Sequence, residues 1–127
     1  MNMIKVKHLM DAVEGDDGQR MWVEATPLTK DLRAWCEVNH VLSHLGPPAE
    51  LAEWFDQHPD GYDYFRAQYH EALAKSPYRP ALHNLAKASV RETFTLLHAG
   101  DDPNHNAAVA LHEFLSELGA WSSTQEG

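Results

Sequence analysis

Residues 93–98 read Thr-Phe-Thr-Leu-Leu-His, residues 99–103 Ala-Gly-Asp-Asp-Pro, and residues 104–118 Asn-His-Asn-Ala-Ala-Val-Ala-Leu-His-Glu-Phe-Leu-Ser-Glu-Leu. The first run is apolar and β-rich, and it is the clearest strand in the chain. The second is dense in Gly, Asp and Pro, which favour turns. In the third, Ala108, Leu111, Phe114 or Leu115, and Leu118 recur at the spacing of one buried helix face. Strand, turn and helix in this order are half of a strand–helix–strand unit.

Upstream, Ile4 and Val6 alternate with Lys5 and Lys7, which predicts a strand over residues 3–9 with the lysines on its exposed side. Residues 14–18, Glu-Gly-Asp-Asp-Gly, form a turn, and Arg20 to Glu24 suits a second, buried strand. Thr29 caps a helix with Asp31 in its first turn, and Leu32, Trp35, Val38, Val41 or Leu42, and Leu45 keep helical spacing up to Gly46-Pro47-Pro48. A short buried strand within residues 38–45 fits as well. Pro48 opens a helix with Leu51, Trp54 and Phe55 on one face. Asp60 caps another, carrying Tyr62, Phe65, Tyr69 and Leu73, and Leu82, Leu85 and Ala86 mark a further short helix. The fold class expected is α/β. One domain over residues 1–121 has a small, mainly parallel central sheet of about three to five strands flanked by helices. Residues 122–127 form a flexible tail.

Composition excludes several classes. Nineteen acidic residues against ten basic give a net charge of −9, which repels a nucleic-acid backbone and disfavours a DNA-binding regulator. The apolar run from Ala107 to Leu111 is far short of the roughly twenty residues that cross a bilayer. Cys36 is the only cysteine, so no disulfide or multi-cysteine metal site forms within one chain. With no signal peptide evident at the start, a cytoplasmic setting is expected.

Over residues 45–73, the run Leu45-Gly46-Pro47-Pro48-Ala49-Glu50-Leu51-Ala52-Glu53-Trp54-Phe55, then His58-Pro59, Tyr62, Phe65-Arg66, Tyr69 and Glu71-Ala72-Leu73, resembles the YeaO-like bacterial family, the domain of unknown function 488. The resemblance continues at Ile4-Lys5-Val6-Lys7, at Thr95-Leu96-Leu97-His98-Ala99, and at Asp102, His105-Asn106 and Ala108. It implies a small domain and fixes neither substrate nor reaction. The chain is a divergent member by this reading. Family members usually carry an Asp-Arg pair and a Trp-Pro-Arg-Gly stretch after the second strand, where this chain has Glu24-Ala25-Thr26-Pro27-Leu28-Thr29. Their last helix usually opens Glu-His-Asn-His-Ala; here it reads Asn104-His105-Asn106-Ala107-Ala108 and lacks the second His.

The turn after the last strand holds the residues most able to do chemistry. In open parallel sheets ligands bind beyond the carboxyl ends of the strands. His98, Asp101, Asp102, Asn104 and Asn106 are therefore candidate ligand-binding residues, His105 a candidate acid–base catalyst, and Glu24, at the end of another predicted strand, a second catalytic candidate. The expected ligand is small and polar or anionic. The plainer alternative is that Asp102 or Asn104 caps the helix and His105 lies solvated in its first turn. The aromatic group from Trp54 to Tyr69 is read as core; as a pocket it would use Arg66 to clamp an anion. His40 and His44 are a weak metal pair and would need a third ligand; no other cofactor is evident. Cys36 reads as a buried, inert thiol. A non-catalytic protein-interaction or regulatory module is the alternative function. A homodimer through Trp121 and the last helix is compatible with the sequence.

Overall fold

The computed structural model describes the backbone of residues 4–126 and the side chains of residues 4–118. Its centre is a sheet of four parallel strands, β1 (Ile4–His8), β2 (Gln19–Trp22), β3 (His40–Val41) and β4 (Phe94–His98), in the order β1-β4-β2-β3. The fold is α/β, as expected. The last strand in sequence lies between the first two. Every residue of β4 is buried, which is why its sequence is a nearly continuous apolar run with no solvent-facing alternation.

The two faces of the sheet are covered differently. Ile4, Val6, Met21, Val23, Phe94 and Leu96 pack on one side against helices α2 (Ala49–Gln57), α3 (Tyr62–Ala74), α4 (Arg79–Ala88) and α5 (Ala107–Glu126). Phe65, Tyr69 and Leu73 of α3, Leu82 and Ala86 of α4, and Ala108, Leu111 and Leu115 of α5 complete this core. Each fully buried Leu or Phe contributes about 1.5–3 kcal/mol. The Tyr69 hydroxyl is also inside, donating to the Leu45 carbonyl at 2.6 Å. The opposite side has a smaller core of Leu9, Trp22, Cys36, Val38 and Leu97, closed by Leu28 and Leu32 from the segment around helix α1 (Lys30–Trp35). Cys36 is buried there, as expected.

The loop from Leu9 to Gly18 also lies on that side, against the lysines of β1. Gly18 has φ +63°, and a Cβ on it would stand 1.9 Å from the Thr93 carbonyl oxygen. Only glycine fits so close an approach. Next to it Asp17 is buried and takes Lys5 at 2.8 Å, Lys7 at 3.0 Å and Arg20 at 2.7 Å. Arg20 also donates to the Cys36 carbonyl, and Thr95 Oγ1 donates to the Asp17 carbonyl. Lys5 and Lys7 are thus not a solvated strand face; only 11% of the Lys7 side chain is exposed. Their shared partner Asp17 is twelve and ten residues away in sequence, beyond the reach of periodicity.

Residues 30–45 are not one long helix. Thr29 does cap α1, accepting from the Leu32 amide at 3.1 Å, but the helix ends at Trp35. The Val38 amide returns to the Arg33 carbonyl and the Glu37 amide to the Ala34 carbonyl, a Schellman closure. Its left-handed position belongs to Glu37, φ +51°, where Gly is usual. Trp35 is left 80% exposed. The chain then forms β3, two exposed residues instead of the longer buried strand expected as the alternative, and a 3-10 turn over Ser43–Leu45. Helix α3 starts after Gly61 with no side-chain cap from Asp60. Helix α5 starts at Ala107 instead of Asn104, and its backbone is helical to Glu126, through most of the expected tail. The Trp121 side chain lies outside the described residues.

Candidate ligand cleft at the strand ends

Beyond β2 the chain crosses to the α1 side of the sheet; beyond the adjacent β4 it crosses to the α5 side. Neighbouring strands whose connections leave to opposite faces open a crevice between them. A cleft of about 360 Å³ lies there. Glu24 and Thr26 come from the segment after β2, and Ala99, Gly100, Asp101, Asp102, His105, Asn106 and Ala107 from the segment after β4. Pro47, Ala52, Phe55, Asp56, Pro59 and Phe65 close it from the helical side. Gly46 sets this wall: a Cβ there would meet the Val23 carbonyl oxygen at 2.4 Å, so the chain passes directly over the end of β2. The Phe55 and Phe65 rings stack at 4.4 Å.

Glu24 Oε1 accepts from the Ala99 amide at 3.4 Å, a long bond that joins the two strand ends. Burial pushes its carboxyl above the usual carboxylate range, and Asp56 adds to this, against the Ala99 amide and His8.

The segment from Asp102 to Asn106 is built from its own side chains. Asp102 accepts from the Asn104 amide at 2.9 Å and pairs with His105 Nδ1 at 2.7 Å. The Asn104 amide first and His105 second hold the Asp102 carboxyl below its usual range. Asn106 Nδ2 donates to the Asp102 carbonyl, and Asn106 Oδ1 accepts from the Val109 amide at 3.0 Å. Asn106 is therefore the cap of α5, and neither Asp102 nor Asn104 has that role. His105 precedes the helix, half-exposed, with its ring 4.8 Å from Tyr62.

Of the residues singled out from the sequence, Glu24, Asp101, Asp102, His105 and Asn106 line the cleft. Asn104 is exposed and contributes a backbone amide to the turn. His98 is buried behind the cleft, with its Nδ1 accepting from the Gly100 amide at 3.1 Å. Arg66 lies outside it, paired with Glu113 and 4.0 Å from Glu117 on α5. His40 and His44 do not converge: His40 Nε2 meets Gln19 at 2.9 Å, and His44 packs edge-on against Tyr78. Among the described residues the group close enough to share a metal ion is Glu14, Asp16 and Asp17, and Lys5 and Lys7 already occupy those carboxylates. Asp56 was missed. Its position one helical turn after Ala52, next to Phe55 and three before Pro59, was the available signal.

Residues 3–126 match the DUF488-N3i family, described as the inactive DUF488-N3 subclade. The chain belongs to this family. Three curated relatives in the comparison, uncharacterized proteins of Mycobacterium bovis and of two strains of Mycobacterium tuberculosis, are each 28% identical over 119 residues, covering 89% of this chain and 93% of theirs. No solved structure matches the chain at a significant level. In this DUF488-N3i member, both departures from the YeaO-like pattern fall on the cleft: Glu24 and Thr26 line it at one place, and Ala107 at the other.

Proposed function

We propose that this protein is a non-catalytic binding member of its family, and that the cleft at the strand ends takes a small polar molecule, neutral or cationic. The observation that carries the reading is the chemistry of the lining. Its ionisable side chains are Glu24, Asp56, Asp101, Asp102 and His105, with no Lys, Arg, Ser or Cys among the lining residues. Four carboxylates oppose an anion. His105 on Asp102 is a base, but the lining offers no Ser or Cys nucleophile, Thr26 being its one hydroxyl, and no cation to stabilise a developing oxyanion. Asn106 Oδ1 already takes one of the free amides of the α5 N-terminus, that of Val109. The family's description as an inactive subclade and the departures at Thr26 and Ala107 support the same reading.

Titration of the ¹⁵N-labelled chain with methylguanidinium, glycerol and inorganic phosphate tests it. Saturable amide shifts at Gly100, Asp102 and His105 with the first or second, weakened in E24Q, are the expected result. Shifts at these residues with phosphate alone would overturn it.

A second reading is protein docking at the α1 side, favoured by Trp35, 80% exposed, and Met10, 61% exposed. Proximity labelling with the wild-type chain and W35A separates the two. A partner labelled by both chains alike counts against docking at Trp35.

A further inference from the structure

We propose that His8 and His98 form a proton-operated latch on the turn that makes the rim of the cleft. This inference does not depend on what the cleft binds. The two residues end β1 and β4 in register, and their rings meet edge-to-face with centroids 5.4 Å apart. Each ring holds the loop that leaves its own strand. His8 Nδ1 accepts from the Met10 amide at 3.0 Å, and His98 Nδ1 accepts from the Gly100 amide at 3.1 Å.

A backbone amide can only donate. Both Nδ1 atoms therefore carry a lone pair, and both rings are neutral with their proton on Nε2. An imidazolium carries a proton on each nitrogen. Protonation of His98 would set an N–H against the Gly100 N–H, and that hydrogen bond must break. Gly100 lines the cleft, and the amide next to it, Ala99, is the one that holds Glu24. A Cβ on Gly100 would stand 3.4 Å from Asn106 Cβ, so this turn is packed against the residue that caps α5. Releasing Gly100 loosens the rim where the three strands' loops meet.

Burial biases the latch toward closure near neutral pH. Burial is the main cause that disfavours the charged form of His98; a protonated His8 would add to it, and Asp11 in the loop after β1 opposes it. Asp11 is itself engaged, taking the His8 amide at 3.0 Å. Across the gap Glu24 faces Asp56, and a protonated His8 would favour its charged form. Two imidazoliums this close would repel, so a proton on either ring opposes one on the other, and only the one on His98 releases Gly100.

The test is NMR of the full chain. At about pH 7.5 the wild-type His98 ring should be the Nε2–H tautomer, and between about pH 7 and 5 the Gly100 amide should lose protection from exchange, by about tenfold per pK unit between closed and open forms. H98N keeps an acceptor oxygen where Nδ1 was and cannot be protonated, so its Gly100 protection should be flat with pH. An Nδ1–H tautomer in the wild type, or the same pH slope in H98N, would overturn the latch. If H98N does not fold, the wild type still decides. The midpoint of the Gly100 change must coincide with that of the His98 ring, and separate midpoints would overturn the proposal.

Discussion

Asp17 and Glu24 are both carboxylates withdrawn from water at the sheet, and the protein treats them in opposite ways. Asp17, near the strand starts, is met by Lys5, Lys7, Arg20 and the Glu14 amide. Burial pushes its carboxyl up, but these partners outweigh it and hold it far below the usual range. Glu24, past the strand ends, has one long bond to a backbone amide and a raised carboxyl. One charge is saturated and fastens a loop under the sheet. The other faces a cleft with spare capacity. Such a charge weakens the fold while leaving a group free to bind, so the contrast separates structural from functional electrostatics.

Breaking the saturated end should have the largest effect. D17N keeps the shape and removes the charge, leaving Lys7 and Arg20 with no buried counter-charge. A loss of about 3–5 kcal/mol in urea unfolding is expected. The sign with pH follows from the lowered carboxyl. Its contribution is complete above the unfolded value of about 4 and is lost as pH falls through the lower native value. A loss in D17N no larger than that of a surface charge would mean that the loop is held by Gly18 and Thr95 alone.

At the other end, N106A removes the cap of α5 and its tie to Asp102, with an expected loss of about 1 kcal/mol and weaker protection of the Val109 amide. E24Q should have the opposite sign, raising Tm by about 1–3 °C at neutral pH. Because the native carboxyl is raised, wild-type stability falls as pH rises through the unfolded value toward the native one. The E24Q gain should therefore vanish in acid and be complete above that window. A destabilised E24Q at neutral pH would show that the Ala99 contact outweighs desolvation and would erase the contrast with Asp17. The last substitution is a control. E37G relieves the left-handed position after α1 and should gain about 0.5–1 kcal/mol. Global unfolding in urea checks the gain.

What the sequence revealed depended on where each cause lies. β4 and the core face of α5 were legible, because an apolar run bounded by Ala99-Gly100-Asp101-Asp102-Pro103 and a 3.6-residue period are local signals. The cleft's location followed from the strand-end rule, and with it Glu24, Asp101, Asp102, His105 and Asn106. The end of α1 was not legible, since Glu37 fills a position that a Gly would have announced. Neither was the fate of Arg66, whose partner Glu113 is 47 residues downstream on another helix. Lys5 and Lys7 misled for the same reason: alternation reports which side of a strand a residue faces, but not what covers that side.

The place of β4 between β1 and β2 has a consequence for synthesis. β2 can pair with β3 as soon as residue 41 has emerged, but the sheet neighbour of β1 starts only at Phe94. Until then β1 and one side of β2 are unpaired edges, open to other nascent chains. A fragment ending before Phe94 lacks the strand that joins them. Any split-protein or truncation design must keep β1 and β4 in the same piece.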